Sequence, residues 1–314
     1  MSFFRFLLLL CLLAVSALIL AGFGGALHPA LDTISNFRLH LSVLLAGLAL
    51  LWTFRCSRIP AIGFAIIALI GLVGSRTGLP QTQFANQTNA GQKVYKAFVM
   101  NLLWNNSEQE AVLSLIARHK PDLLLLTEVS RGWRANLEKL EPEYPYRFNC
   151  AEWRTIGGSV IFSRHPVTAE KFCGPYASLG LATITLDGVA VDTGVVHLRW
   201  PWPASGPRQI SEITPVLQEL GDHALVAGDF NSATWTHSVD RFARAGNLSV
   251  ARGIGATWSP TIGPGTMRFR WPVRLGLPID NVMSKGNVGI VSARSLEFAG
   301  SDHLPILVEF IIGK

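Results

Sequence analysis

The chain has 314 residues, 49% hydrophobic and only 15% charged, with a formal net charge of +6. That balance is too apolar for an ordinary soluble protein. Its four cysteines show no CxxC or Cys/His zinc spacing, which argues against a structural zinc site.

The apolar excess lies at the N-terminus. Phe6 to Leu27 carries no charge, Phe37 to Phe54 only Arg38 and His40, and Ile59 to Gly74 none. A membrane-crossing helix needs roughly 20 apolar residues, about 17 at the short end. Residues 1–74 are therefore expected to form three transmembrane helices. A signal peptide would account for the first alone. Arg5, Arg55 and Arg58 fall on one side, Arg38 and Arg76 on the other. The excess of positive charge puts the N-terminus inside and everything after Arg76 outside, the periplasm in a bacterial inner membrane. Residues 75–92, rich in Gln, Asn, Thr and Gly, read as a linker. Residues 93–314 suit one α/β domain with a sizeable core.

In that domain Val94 to Leu103 reads as a strand. Ser107 and Glu110 form a capping-box pattern ahead of apolar Val112, Leu113, Leu115 and Ile116. Leu123 to Thr127 is a buried strand ending at Glu128, and Arg131 to Leu140 a helix. Strands follow at Ser159 to Phe162, Leu181 to Leu186 and Val189 to His197. A helix over Gln209 to Leu220 leads to the strand from Ala224, and Trp235 to Ala245 is helical. Pro278 to Ser284, Ile290 to Phe298 and Leu304 to Ile311 close the chain as strands. Strands outnumber helices and many look hairpin-linked, so a mixed-sheet α/β sandwich is expected rather than a doubly wound parallel sheet. Cys150 and Cys173 are equally compatible with a disulfide and with free buried thiols.

Polar residues interrupt these apolar strands at their ends: Asn101, Glu128, His197, Asp229 with Asn231, Asp280, and Asp302 with His303. Each alone has a structural alternative, as a core amide, a cap or a turn residue. Together they sit where active sites are built, at the strand ends of one sheet rim. Alternation along an extended segment would point Asp229 and Asn231 the same way. Glu128, Asp302 and the amide of Asn101 are hard oxygen donors suited to Mg²⁺ or Mn²⁺. Asp229 is placed to activate water, Asn231 to donate to an oxyanion, and His197 and His303 to donate to phosphate oxygens or move protons. Asp280 can orient His303 by a carboxylate–imidazole contact.

The order Asn101, Glu128, His197, "GDFN", "ID", "SDH" resembles the endonuclease/exonuclease/phosphatase superfamily, the fold of pancreatic deoxyribonuclease, abasic-site endonucleases, neutral sphingomyelinases and inositol-polyphosphate 5-phosphatases. "PDLLLLTE", "GGSVIFSRHP" and "VAGDFNS" resemble family segments in the same order. The resemblance covers Lys93 to Ile311 and implies two mixed β-sheets packed as a four-layer α/β sandwich, here preceded by an all-α transmembrane segment. It further implies Glu128, Asn101 and Asp302 as the metal site, with His197, Asp229, Asn231, Asp280 and His303 as the catalytic set. A histidine at position 197 is absent from the abasic-site branch. Asn281 and Val282 follow Asp280 where many relatives carry an aromatic. The helices before the domain resemble those of bacterial membrane-linked members.

Two segments bear on the substrate. Arg268, Arg270 and Arg274 alternate with Met267, Phe269 and Trp271, a pattern that suits single-stranded nucleic acid, a membrane surface or a solvated hairpin. Arg199, Trp200, Pro201, Trp202 and Pro203 form a stiff loop after His197. The expectation is a membrane-anchored, divalent-metal-dependent phosphoester hydrolase using water activated by Asp229. Its substrate would be a lipid headgroup, a small molecule or nucleic acid. The alternatives are an extracytoplasmic nuclease and a non-enzymatic membrane module.

Overall fold

The computed structural model describes residues 3–55, 58–78, 92–150, 157–262 and 269–313. Four helices come first: α1 (Phe3–Ala21), α2 (Pro29–Ser35), α3 (Arg38–Arg55) and α4 (Arg58–Gly74). Helices α1, α3 and α4 pack through Leu12, Ile19, Leu45, Ala49, Phe64 and Ala68. Phe6, Leu13, Leu50, Ile62 and Leu69 point outward from the same bundle and are exposed. Helices apolar on every face are suited to lipid rather than water.

Of the three expected spans, only α1, with 19 residues, is long and apolar enough on its own. Helices α2 and α3 together pass as one span, but bent by 62°. Helix α4 has 17 residues. The first apolar stretch also ends sooner than expected. Gly22 follows α1, and the chain then turns into α2, which is bound to the rest of the protein.

The remainder is built from β1 (Tyr95–Asn101), α5 (Gln109–His119), β2 (Leu123–Val129), α6 (Arg134–Glu138), β3 (Tyr146–Cys150), β4 (Gly158–Ser163), β5 (Val167–Cys173), β6 (Leu179–Leu186), β7 (Val189–His197), α7 (Gly206–Gln218), β8 (Ala224–Asp229), α8 (His237–Gly246), β9 (Ser249–Val250), β10 (Thr261–Ile262), β11 (Phe269–Arg270), β12 (Asp280–Lys285), β13 (Val288–Ser295) and β14 (Ile306–Ile312). One six-stranded sheet runs β13-β14-β1-β2-β4-β3 and the other β5-β6-β7-β8-β12-β9. The β1–β2 and β7–β8 pairs are parallel and their neighbours antiparallel, so both sheets are mixed. The sheets face each other across Val99, Leu125, Ile161, Val195, Leu225 and Val308. Helices α5 and α6 cover the outside of the first sheet and α7 and α8 that of the second. This is the four-layer sandwich. Burying a large apolar side chain contributes roughly 1.5–3 kcal/mol, so these three layers of contact dominate its stability.

Cys150 on edge strand β3 and Cys173 on edge strand β5 form a disulfide, with Cα atoms 5.2 Å apart, that staples one sheet to the other. The expected capping box does not form: Glu108 is the N-cap of α5 and makes no side-chain cap bond. Asn106 Oδ1 takes the Glu108 N–H instead, at 2.8 Å. Ser75 is not linker: its hydroxyl is buried against Arg38 Nε at 3.1 Å and Gly71 O at 2.9 Å. Arg76–Gly78 form a short 3-10 turn, and 79–91 of the expected linker lie outside the described residues, as do Met267 and Arg268.

The helices and the sandwich meet in a polar seam. The Asp32 carboxylate is 1% exposed. It accepts from the first residues of α8: His237 N (2.7 Å), Ser238 N (2.9 Å) and Ser238 Oγ (2.5 Å). An acid at a helix N-terminus satisfies amides that have no partner within the helix. Asn36 Oδ1 accepts from Ala233 N at 2.6 Å, and Trp235 Nε1 donates to Ser35 O at 2.7 Å. A cavity of about 820 Å³ opens along this seam beside Asp32, Arg38, His237 and Arg252.

Candidate active site

The second sheet sets three of the singled-out residues in one row. His197 on β7 pairs with Asp229 on β8, and Asp229 with Asp280 on β12. Gly228 allows this close approach: its φ is +148°, and a Cβ there would lie 2.1 Å from Val196 O. After Asp229 the chain leaves the strand. Asn231 adopts a left-handed φ of 47°, so it does not meet Asp229 by strand alternation, as the sequence implied. It returns to it through a turn, in which Asn231 N donates to Asp229 Oδ1 at 2.8 Å. Its side-chain amide donates to Leu198 O at 2.7 Å and lies 3.4 Å from Asp229 Oδ2.

The first sheet brings Asn101 and Glu128 to the same rim. Glu128 has a left-handed φ of 55° at the bulge where β2 slips against β4. Such a conformation is strained for a glutamate and persists only where surrounding contacts impose it. Gly157 opposes it so closely that a Cβ would fall 2.4 Å from the Glu128 carbonyl carbon. Glu128 Oε2 accepts from Trp104 N at 3.0 Å. The Asn101 amide bridges the two sheets, donating to Glu128 Oε1 at 3.0 Å and Asp229 Oδ2 at 3.1 Å.

His303 is 3% exposed. Its Nδ1 lies 2.8 Å from Asp280 Oδ2, and its Nε2 3.5 Å from Asp229 Oδ2. Burial by itself would lower the His303 pKa, but the charges of Asp280 and Asp229 outweigh it and raise it to about 10. Burial raises the Asp229 carboxyl to about 6, against the opposing pull of His303. His197 Nε2 sits 3.8 Å from both Glu128 Oε1 and Asp229 Oδ2. Asp302 is held by Trp258 Nε1 at 2.9 Å.

All eight residues singled out in the sequence thus stand on this rim or in residues joined to it. Sequence reasoning missed three supports: the Trp104 amide, the Trp258 indole and the Ser301 hydroxyl, which bonds Asn101 O at 2.8 Å. Only Ser301, adjoining the "DH" pair, carried any local signal.

The rim fits a divalent cation. Carboxylates of Glu128 and Asp229 converge on one amide from opposite sheets, with the imidazoles of His197 and His303 beside them. Asn101 Oδ1 accepts from Leu103 N at 3.0 Å, which turns the amide N–H groups toward the two carboxylates. Asp229, Asp280 and His303 also cluster within 4.8 Å, but the His303–Asp280 hydrogen bond already occupies Nδ1 and one carboxylate oxygen. Glu128, Asp302 and Asn101 carry the hard oxygen donors that Mg²⁺ or Mn²⁺ would accept.

Residues 99–303 match the Endonuclease/Exonuclease/phosphatase family. A UPF0294 protein of Vibrio vulnificus is 26% identical over 191 residues, 58% of this chain and 52% of that protein. A probable RNA-directed DNA polymerase from transposon X-element of Drosophila melanogaster is 24% identical over 224 residues, 68% of this chain and 24% of that protein. The chain spans about half the length of the first relative and about a quarter of the second. Among solved structures, an endonuclease/exonuclease/phosphatase from Bacteroides vulgatus aligns with a TM-score of 0.56 at 15% identity, covering 71% of this chain and 100% of that one. D. rerio TDP2 complexed with single strand DNA product gives 0.53 at 17%, covering 69% and 99%. A Staphylococcus aureus beta toxin gives 0.51 at 16%, covering 68% and 99%. At these identities the structural likeness shows the fold alone.

Proposed function

The chain belongs to the endonuclease/exonuclease/phosphatase family, whose members are hydrolases of phosphoester bonds, and from that premise we propose a membrane-anchored, divalent-metal-dependent phosphoester hydrolase. The observation that carries the reading is the Asn101 bridge between Glu128 and Asp229, beside the Asp280–His303 pair. It brings two carboxylates, an amide and a buried carboxylate–imidazole pair together on one rim.

Asp229 takes the proton of the attacking water. With a carboxyl raised to about 6 it is ionised at neutral pH yet more basic than an exposed aspartate. His303, protonated at neutral pH and steadied by Asp280, meets a phosphoryl oxygen as its negative charge grows. Asn231 holds a second such oxygen. His197, on the Glu128 side of Asp229, donates to the leaving oxygen. Glu128, Asp302 and Asn101 would hold a Mg²⁺ or Mn²⁺ ion, which would supply Lewis-acid stabilisation of the developing charge.

In this reading residues 1–74 are the membrane anchor and 93–314 the catalytic domain. Lipid-suited outer faces on α1, α3 and α4 support three spans of an inner membrane. The end of α1, the start of α3 and the end of α4 all lie near the sandwich: Arg38 donates to Gly22 O and Gly74 O, and Gly253 N to Thr77 O. Three crossings satisfy that arrangement. The disulfide supports an oxidising, periplasmic side for the sandwich.

The test is hydrolysis of bis(4-nitrophenyl) phosphate by the full chain with Mg²⁺, with Mn²⁺ and with EDTA. Turnover that needs the metal supports the hydrolase. Tight phosphoester binding without turnover would mean the non-enzymatic module instead.

A further inference from the structure

We propose that the rim of the candidate site is itself a bilayer-contact surface, and that the phosphoester it takes is carried by a membrane lipid. This rests on the hydrolase reading above and narrows its substrate.

Two walls flank the site. One is the Arg199–Ser205 loop that follows His197. The other is made by Trp258 and by the segment from β11 to Leu275. Trp200 of the first packs edge-on against Trp258 of the second, with ring centroids 5.9 Å apart. Trp258 in turn holds Asp302. Both walls are also tied to the helical segment. Thr33 Oγ1 donates to Trp202 O (3.0 Å) and accepts from Trp202 N (2.9 Å). His40 Nε2, on the first turn of α3, lies 2.9 Å from Leu275 O. Both walls therefore sit beside α2 and the start of α3, on the side of the sandwich that meets the apolar helices.

The composition of that surface fits a lipid headgroup layer. Trp202, Phe269, Trp271, Leu275 and Phe298 are all exposed, at 40–61%. The Trp271 indole N–H is satisfied by Leu275 O at 3.1 Å, leaving its ring outward. Arg270 stacks over Phe298 at 3.7 Å, and exposed Arg274 stands beside Leu275. Tryptophan rings interleaved with arginines are suited to the membrane interface and to anionic lipid. A groove of about 620 Å³ joins this surface to α3, lined by Leu39, Val273, Phe298 and Leu304. Its apolar lining suits an acyl chain better than a nucleotide. Isolated exposed apolar residues need no explanation, but several on the two walls of one site do.

Two measurements on the full chain in nanodiscs test this. In the first, tryptophan fluorescence is quenched by dibrominated phosphatidylcholine. The quenched fraction is expected to fall in Trp202→Phe and Trp271→Phe, and an unchanged fraction in both would overturn bilayer contact. In the second, wild type, Trp271→Ser and Leu275→Ser are assayed on six probes. These are phosphatidylglycerol, phosphatidylethanolamine and phosphatidic acid in nanodiscs, a single-stranded oligonucleotide, free glycerophosphoglycerol, and bis(4-nitrophenyl) phosphate. Turnover of at least one lipid probe is expected to fall about tenfold in each variant, the equivalent of roughly 1.4 kcal/mol of lost contact. Hydrolysis of bis(4-nitrophenyl) phosphate is expected to stay unchanged. Wild-type turnover of the oligonucleotide or the free ester with none on any lipid would overturn the proposal. Failure on bis(4-nitrophenyl) phosphate as well would instead sink the hydrolase reading, while the quenching result still decides bilayer contact.

Discussion

The seam and the rim both bury carboxylates, and they treat them in opposite ways. In the seam Asp32 is closed off by three short hydrogen bonds of 2.5–2.9 Å from groups that have nowhere else to donate. At the rim Asp229 has one short bond, from Asn231 N at 2.8 Å. Asn101 donates to it at 3.1 Å, and its other neighbours stand off: Asn231 Nδ2 at 3.4 Å, His303 at 3.5 Å and His197 at 3.8 Å. A closed set of partners fixes structure. An open set, with like charges crowded and a carboxyl raised by burial, leaves capacity for a substrate, an ion or a proton.

The sharpest way to separate the two regions is to neutralise Glu128. Glu128→Gln keeps the volume and removes one of the crowded rim charges. Turnover with Mg²⁺ is expected to fall about 10²–10³-fold, the size of a lost electrostatic contact at a reacting centre. The urea midpoint is expected to hold or rise, because rim groups are placed at the expense of stability. A large drop in midpoint would put Glu128 among the structural residues. Calorimetric Mg²⁺ titration of the same variant should show weakened binding.

The fold outside the rim should respond the other way. Cys150→Ser with Cys173→Ser removes the staple between the sheets and is expected to cost about 3 kcal/mol in chemical unfolding. Asp32→Ala strands two backbone amides and a hydroxyl in the seam and is expected to cost about 2–3 kcal/mol. Turnover per folded molecule should survive both. If Asp32→Ala instead lowers turnover while the unfolding midpoint stays put, the seam is part of the catalytic apparatus, and the contrast drawn here fails.

The pH profile separates the regions more gently. Asp229 must be ionised to accept a proton, so turnover should fall as pH drops through about 6. His303 is raised from 6.5 to about 10. Its contribution to stability is fully present below 6.5 and is lost as pH rises through about 10. Thermal midpoints between pH 7 and 10.5 should therefore decline, and should decline less in His303→Gln.

Much of the sandwich was legible in the sequence because buried strands declare themselves as apolar runs. Strands β1, β2, β7, β8 and β14 are all of this kind. Strand β5 was missed because it is an edge strand whose residues Thr168, Ala169, Glu170 and Lys171 are exposed, so nothing in its pattern repeats. Strand β3 was missed because its five residues mix polar and apolar types at the other sheet's edge. The rim was legible because a polar residue at the end of an apolar strand is conspicuous. The turn that carries Asn231 was not, since its left-handed φ leaves no periodic trace. The seam was not legible either. Nothing local in the sequence marks Asp32 or Asn36, because what makes them structural is a partner some two hundred residues away.

The most direct test of the metal-assisted reading is the turnover of Asp229→Asn on bis(4-nitrophenyl) phosphate with saturating Mg²⁺. Loss of a positioned general base predicts a fall of about 10²–10⁴-fold in kcat, in a protein that still folds and still binds Mg²⁺. Wild-type kcat in that variant would contradict the account.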